Sequence, residues 1–273
     1  MRTKIKFLLI FFISCPGLNS MAISYGELSK QKTDWLIDGS RYKAAIEISG
    51  DGKDIVLNNG LVKRTFRIKP NLACTGYENL ANGQQLLRAV KPEAELIIDG
   101  KKHNIGGLYG QKEQAYLLPE WINSFTSSGD DFQFESYSES AIEPYINWKQ
   151  TFWAGQNTGP SGKMLTLLFH SANLKGIEVS VHYELYDRLP LIVKWLSIKN
   201  ESNQTVEMNR VVNEKLALVE EESAVVGSPE QMKKQHGIYV ETNYAFNDAM
   251  CYDLSDQTTH WNTDSLYTSQ VNY

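Results

Sequence analysis

The segment Ile177–Leu185 constrains the fold more than any other part of the chain, because its apolar and polar residues alternate strictly. A period of two places alternate side chains on opposite faces of a β-strand, whereas a helix requires a period near 3.6. The alternation therefore predicts a strand with one buried face and one solvent-exposed face. The residues expected to face the core are Ile177, Val179, Val181, Tyr183 and Leu185.

Similar strand signals recur along the chain with short turns between them. Asn58-Asn59-Gly60 and Asp99-Gly100 have the residues that hairpin turns favour, and each follows an apolar run. The predicted strands are Ile46–Ile48, Ile55–Leu57, Leu61–Ile68, Glu95–Ile98, Lys101–Ile105, Phe132–Phe134, Ile146–Trp153, Met164–His170, Ile177–Leu185, Leu191–Ile198 and Val206–Val212. Because helical segments do not alternate with them, the sequence predicts an all-β fold, an antiparallel β-sandwich of the supersandwich type with little helix.

The first residues of the chain are typical of a secretory signal peptide. Basic residues up to Lys6 precede the apolar run Phe7–Ile13, which is shorter than the roughly 20 residues of a membrane span. Small residues near Ala22 suit cleavage by signal peptidase, and lipoprotein processing at Cys15 is the alternative. We therefore expect an exported protein, in the periplasm, at the cell surface or outside the cell, with no membrane span.

These signals divide the chain into three parts. We expect a signal peptide at residues 1–22, an extended N-terminal arm at residues 23–43 and a β-sandwich domain at residues 44–273. No linker, repeat or low-complexity stretch interrupts the third part. The sequence ends at Tyr273 within a strand-like segment, and we expect the domain to be truncated at its C-terminal end.

Charge and cysteine content limit the possible functions. The 27 basic residues against 32 acidic residues give a net charge of −5, which argues against nucleic acid as a partner. The five histidines lack the spacing of a metal site, and no nucleophile elbow or phosphate-binding loop is present. We therefore expect no metal and no cofactor. Beyond the signal peptide, Cys74 and Cys251 fit either a disulfide or two separate thiols.

Paired carboxylates are the strongest candidates for catalysis, because glycoside hydrolysis needs only two of them, roughly 5 to 10 Å apart. Acidic residues in or beside predicted turns, where a sugar could reach them, are Glu93, Glu95, Glu120, Asp130, Asp131, Glu143 and Asp187. Since the chain has 32 acidic residues, such pairs arise by chance. We therefore assign no catalytic residue.

Aromatic residues in predicted loops indicate carbohydrate contact instead. A ring offers a flat apolar surface to the C–H face of a sugar, and a neighbouring polar group can bind its hydroxyls. The candidate contact residues are Tyr116, Glu120, Trp121, Tyr145 and Trp148. For Trp121, binding and packing are both open interpretations. Trp148, Trp153 and Trp195 lie on predicted strands, where filling of the sandwich core is the favoured interpretation.

Several separated segments resemble one family. They are Leu57–Arg67, Asn71–Leu80, Leu86–Ala94, Tyr116–Trp121 and His182–Trp195. Together they resemble the N-terminal β-supersandwich of secreted alpha-galactosidase-like, or melibiase-type, glycoside hydrolases along nearly all of the mature chain. The resemblance implies that the sandwich precedes a (β/α)₈ barrel with two catalytic aspartates and contributes at most loop residues to the pocket mouth.

The sequence departs from that family pattern because it carries no barrel. No catalytic aspartate can therefore be assigned to any of its positions. The expected function is a non-catalytic sandwich domain of a carbohydrate-active hydrolase, with carbohydrate and a catalytic barrel absent from this chain as its partners. The alternative is a freestanding exported protein, either a carbohydrate-binding or a structural β-sandwich.

Overall fold

The structure is a computed structural model that describes residues 34–112, 115–143, 161–219 and 238–240. These residues form fourteen strands and one 3₁₀ helix at Pro119–Ser124. The strands are β1 (Ala45–Ile48), β2 (Asp54–Asn58), β3 (Val62–Arg67), β4 (Ala73–Asn79), β5 (Gln84–Gln85), β6 (Leu87–Ala89), β7 (Ala94–Ile98), β8 (Lys101–Ile105), β9 (Gln133–Ala141), β10 (Gly162–His170), β11 (Ile177–Tyr186), β12 (Ile192–Asn200), β13 (Met208–Val212) and β14 (Ala217–Leu218). The predicted all-β class is confirmed. None of the described segments is a helix with the length and apolar character that crossing a membrane requires.

The strands form four antiparallel sheets. The two large sheets have the orders β1-β2-β3-β4-β5 and β12-β11-β10-β9, and the two small ones have the orders β13-β7-β8 and β14-β6. Consecutive strands are neighbours in both large sheets, as expected for strands that follow each other through short connections. The hairpin of β7 and β8 turns at Asp99 and Gly100, whose φ angles of 51° and 75° give the left-handed pair of a type I′ turn.

The inner faces of the two large sheets share one hydrophobic core. The ring centroids of Phe66 on β3 and Tyr183 on β11 are 5.0 Å apart, and the third sheet adds Leu96 and Ile98 to the same cluster. Other buried members of this core are Ile55, Leu57, Val62, Leu72, Leu165, Leu167, Phe169, Ile177, Val179, Val181 and Leu185. Each large apolar side chain that is fully buried contributes roughly 1.5 to 3 kcal/mol to stability.

Strand β11 has the predicted core face, but its opposite face is not exposed. Ser180, His182 and Glu184 each expose 8% or less of their surface. Trp195 on β12 lies opposite His182 and stacks on its imidazole with centroids 3.7 Å apart, while the hydroxyl of Tyr186 donates to Glu184 at 2.8 Å. The prediction of a solvent-exposed face is therefore wrong for these three residues, since Trp195 covers His182 and Tyr186 contacts Glu184, whereas Glu178 on the same face is partly exposed.

Trp195 also does not fill the sandwich core. Since side chains of a strand alternate between its faces, its contact with His182 places it on the outer face, and the neighbouring Lys194 points inward towards the ring of Tyr183. The core prediction for Trp195 is therefore wrong. Trp148 and Trp153 lie outside the described residues.

The described end of the N-terminal arm is attached to the turn between β11 and β12. The Arg188 N–H donates to the Tyr42 carbonyl at 2.8 Å. The Asp187 carboxylate accepts hydrogen bonds from the Ala44 N–H at 2.8 Å and from Lys43 Nζ at 2.9 Å. Tyr42 and Lys43, at the end of the arm, are therefore fixed to the sandwich.

We predict that Val181→Asp lowers the free energy of unfolding by about 3 to 5 kcal/mol, because it buries a charge without a partner. Ser180→Asp should also destabilise the fold, since Ser180 is buried on the outer face. Ser138→Asp on the exposed part of β9 is the matched control and should change stability by less than about 0.5 kcal/mol. Urea unfolding measures all three, and equal effects of Val181→Asp and Ser138→Asp would contradict the register of β11.

Candidate functional site

Three of the five predicted contact residues lie together in one surface segment, the aromatic loop, which we define as residues 115–124. Tyr116 precedes the 3₁₀ helix, and Glu120 and Trp121 lie within it. Pro119 begins this helix, where its fixed φ and missing N–H are tolerated. The sequence predicts a loop over Tyr116–Trp121, whereas the structure begins a 3₁₀ helix at Pro119. Tyr145 and Trp148, the other two candidates, lie outside the described residues.

The exposed ring of Tyr116 lies against a buried cation. Arg88 on β6 is fully buried, and its guanidinium carbon lies 4.4 Å from the centroid of the Tyr116 ring, while Tyr116 remains 47% exposed. The loop backbone is fixed nearby, because the Leu117 N–H donates to the Arg88 carbonyl at 2.8 Å. The side-chain amide of Gln111 donates to the carbonyls of Arg88 and Ala115 at 3.2 and 2.9 Å. A cation–π contact and these hydrogen bonds thus hold the ring.

Trp121 has a different role from Tyr116 in the loop. Its half-buried ring packs on a small hydrophobic cluster separate from the main core, formed by Ala73, Val90, Leu108 and Phe125. The ammonium nitrogen of Lys112 lies 5.2 Å from the ring centroid. Packing therefore accounts for much of Trp121, while Tyr116 supplies the exposed aromatic surface. Glu120, the residue that precedes Trp121, is exposed.

Several carboxylates that the sequence placed near accessible turns are buried by specific partners. Glu95 pairs with Lys215 at 2.7 Å, and Asp131 accepts a hydrogen bond from the hydroxyl of Tyr109. Glu93 is also buried. The prediction that a sugar can reach these three carboxylates is therefore wrong. Asp187 is mostly buried by its contacts with the arm, whereas Glu120, Asp130 and Glu143 are exposed.

Four charged side chains form a buried cluster within the sandwich, the charge cluster, which consists of Arg64, Glu93, Lys194 and Glu214. The guanidinium of Arg64 donates twice to the Glu214 carboxylate, at 2.8 and 3.2 Å, and lies 3.6 Å from Glu93. Lys194 Nζ donates to Glu214 at 3.1 Å and to the backbone carbonyl of Glu93. Two positive and two negative charges therefore balance inside the protein.

Aromatic rings surround Arg64 within this cluster. Its guanidinium carbon lies 4.7 Å from the ring centroid of Tyr183 and 5.3 Å from those of Phe66 and Tyr77. Glu93 accepts hydrogen bonds from the hydroxyl of Tyr183 and, at 2.7 Å, from the backbone N–H of Cys74. Each charge is thus surrounded by partners, as the cost of burying an ion requires.

Burial and charge pairing shift the pKa values of side chains in and beside the charge cluster in opposite directions. Burial raises the pKa of Tyr77 to about 12 and that of Cys74 to about 11. Burial would also raise the pKa of Glu214, but the charges of Arg64 and Lys194 lower it to about 2. Burial lowers the pKa of Lys194 against the opposing effect of its glutamate partners.

This arrangement fits a structural role better than a reactive one. Arg64 and Glu93 are buried, and Glu214, with 25% of its side chain exposed, is the member that reaches the surface. Arg64 was not predicted as a core residue. The alternation of β3 could have identified it, because Arg64 lies two residues from both Val62 and Phe66 and therefore on the same, buried face of the strand.

The described residues contain no group of three or more His, Cys, Asp and Glu side chains placed to hold a metal ion. Cys74 is buried and forms no disulfide with another described residue, and Cys251 lies outside the described residues. Comparison of the chain with models of known protein families, with curated protein sequences and with solved structures finds no match.

We predict that Glu214→Gln lowers the free energy of unfolding at pH 7 by about 3 kcal/mol, since it leaves the two buried cations Arg64 and Lys194 with Glu93 as the one remaining carboxylate of the cluster. The wild-type stability from this carboxylate should be complete above its ordinary pKa of 4.5 and decrease as the pH falls towards 2. The reason is that the unfolded chain then takes up a proton that the folded state does not.

Urea unfolding between pH 7 and pH 3 measures this effect. The difference between wild type and Glu214→Gln should shrink on acidification, while Glu120→Gln, at an exposed carboxylate, should match wild type throughout. A difference that stayed constant down to pH 3 would contradict the depressed pKa.

Proposed function

We propose that this chain is a non-catalytic β-sandwich domain of an exported alpha-galactosidase-like glycoside hydrolase, and that its aromatic loop contacts carbohydrate. The proposal is supported by the separated segments that resemble that family and by the antiparallel all-β fold. The aromatic loop adds a surface whose chemistry suits a sugar.

The observation that carries the proposal is the exposed ring of Tyr116 on the buried guanidinium of Arg88. A ring that is already fixed loses little conformational entropy when a ligand stacks on it, so more of the contact energy contributes to affinity. The exposed carboxylate of Glu120 in the same loop can accept hydrogen bonds from sugar hydroxyls. Trp121, packed beneath, holds the loop in place.

The proposal assigns hydrolysis to the barrel that the family resemblance implies, not to this sandwich. Buried carboxylates such as Glu93 and Glu95 are engaged by Arg64, Tyr183 and Lys215. The role left to the sandwich is to hold or position glycan near the catalytic domain.

We predict that Tyr116→Ala weakens binding of a neutral galacto-oligosaccharide by about tenfold, because one aromatic contact contributes about 0.5 to 1.5 kcal/mol and tenfold corresponds to about 1.4 kcal/mol. Tyr137→Ala is the matched control, since Tyr137 is 43% exposed but lies on β9, and it should bind like wild type. Isothermal titration calorimetry gives both dissociation constants. Unchanged affinity of folded Tyr116→Ala would remove the aromatic loop from the proposal.

The protein should not release nitrophenol from aryl α-galactosides above the background rate, because the resemblance places the catalytic aspartates in the barrel. Glu120→Gln and Glu143→Gln, which change exposed carboxylates, are the informative variants if turnover is seen. Turnover that disappeared in either variant would show that the sandwich itself is catalytic.

A further inference from the structure

A second surface feature, the Trp35 groove, lies where the arm meets the first large sheet. It has a volume of about 930 Å³ and is lined by residues of the arm, of β1, of the turn between β2 and β3 and of the turn after β4, including Trp35, Arg41, Tyr42, Glu47 and Asn58. It shares no lining residue with the aromatic loop. The groove could not be predicted from the sequence, because its lining residues come from stretches of the chain that are separated by whole strands.

Tyr42 makes two specific contacts in this groove. Its hydroxyl accepts a hydrogen bond from Arg41 Nη2 at 2.6 Å, and the Arg41 guanidinium carbon lies 4.7 Å from the ring centroid. The ring also lies close to Gly60, where a Cβ would come within 3.0 Å of Tyr42 Cδ1. Because Gly60 has a φ of 83°, the turn itself favours glycine and leaves room for the ring.

Trp35 lines the same groove from a tight turn of the arm. The carboxylate of Asp34 accepts a hydrogen bond from the Leu36 N–H at 3.0 Å, and its carbonyl accepts one from the Ile37 N–H at 2.9 Å. Trp35 is half-buried, whereas its neighbour Leu36 is 73% exposed and does not line the groove. The turn thus separates the side chain that lines the groove from the one that faces solvent.

The charges of the groove favour an uncharged ligand over an anion. Lys43 is already paired with Asp187 at 2.9 Å. The other charged lining residues are one cation, Arg41, and two anions, Asp34 and Glu47. The lining therefore carries no excess of positive charge that would bind a polyanion, while hydroxyl groups of a neutral ligand can donate to the carboxylates.

The size of the groove favours a ligand longer than one sugar ring. The groove of about 930 Å³ is open to solvent along one side, so it has room for a ligand of several sugar rings that would remain partly exposed. Two aromatic side chains with carboxylate, amide and guanidinium groups around them match the alternating apolar and hydroxyl surfaces of a saccharide.

We infer that the Trp35 groove is a second carbohydrate site, which takes a neutral oligosaccharide and is separate from the aromatic loop. The choice of a saccharide rests on the proposed function, whereas the groove and its charge preference do not. Two sites on one rigid sandwich would let the domain hold a glycan chain, or two chains, at separate points.

The test uses an array of neutral and anionic oligosaccharides, followed by calorimetry with the best neutral ligand. Six proteins are compared: wild type, Trp35→Ala, the matched control Leu36→Ala, Tyr116→Ala, the Trp35→Ala/Tyr116→Ala double variant and Glu47→Gln. Thermal unfolding first establishes that each is folded.

We expect Trp35→Ala to weaken binding of the neutral oligosaccharide at least about tenfold, and Leu36→Ala to bind like wild type. Glu47→Gln should raise binding of an acidic oligosaccharide relative to the neutral one.

The outcomes separate the two proposals. If Tyr116→Ala weakens binding and Trp35→Ala does not, the groove is not a carbohydrate site and the aromatic loop stands. If the reverse holds, the groove stands and the aromatic loop fails. Preference of the wild type for anionic glycans at the groove overturns the charge argument, and a folded protein that binds no glycan on the array overturns both sites.

Discussion

The buried charge cluster is the interaction on which the arrangement of the sheets depends. Arg64 comes from β3 in one large sheet, Lys194 from β12 in the other, Glu93 from the segment before β7, and Glu214 from the connection between β13 and β14. Apolar contacts tolerate small displacements, but a buried ion that loses its partner costs several kcal/mol. The four side chains therefore require these elements to keep their relative positions.

The surface features depend on that fixed framework. Glu93 lies in the same chain segment as Arg88, whose guanidinium supports Tyr116, and the arm that carries Tyr42 is fixed to the turn that follows β11. In both places an arginine lies against a tyrosine ring, Arg88 against Tyr116 and Arg41 against Tyr42. The buried guanidinium of Arg88 restrains the Tyr116 ring before a ligand arrives, which lowers the entropic cost of binding, whereas the Arg41 guanidinium that contacts Tyr42 is exposed.

Much of the fold could be predicted from the sequence because its signals are local. The alternation in β11 identifies its core residues, and Asp99-Gly100 identifies a hairpin turn. The environment of the opposite face could not be predicted, since Trp195 covers His182 only because β12 pairs beside β11 in one register. Likewise, the parity of Arg64 indicates an inward side chain, but its partner Glu214 is 150 residues away, and a single sequence carries no signal for that pairing.

At the candidate sites, too, features that are local in sequence could be predicted and contacts between distant segments could not. Tyr116, Glu120 and Trp121 are close in sequence, so their shared loop could be predicted, although the sequence did not indicate that Trp121 packs inward while Tyr116 remains exposed. Arg88, which makes the Tyr116 ring rigid, comes from another strand. The Trp35 groove is assembled from separate segments, and only the folded chain reveals it.

The central claim is that tyrosine rings in contact with arginine are the carbohydrate contacts of this sandwich. Nuclear magnetic resonance with isotope-labelled tyrosine rings tests it most directly during titration with a neutral oligosaccharide. The account predicts saturable shifts of the ring signals of Tyr116 and Tyr42, with the signal of the exposed Tyr137 unchanged. Signals of Tyr116 and Tyr42 that stayed fixed, or that moved no more than that of Tyr137, would contradict it.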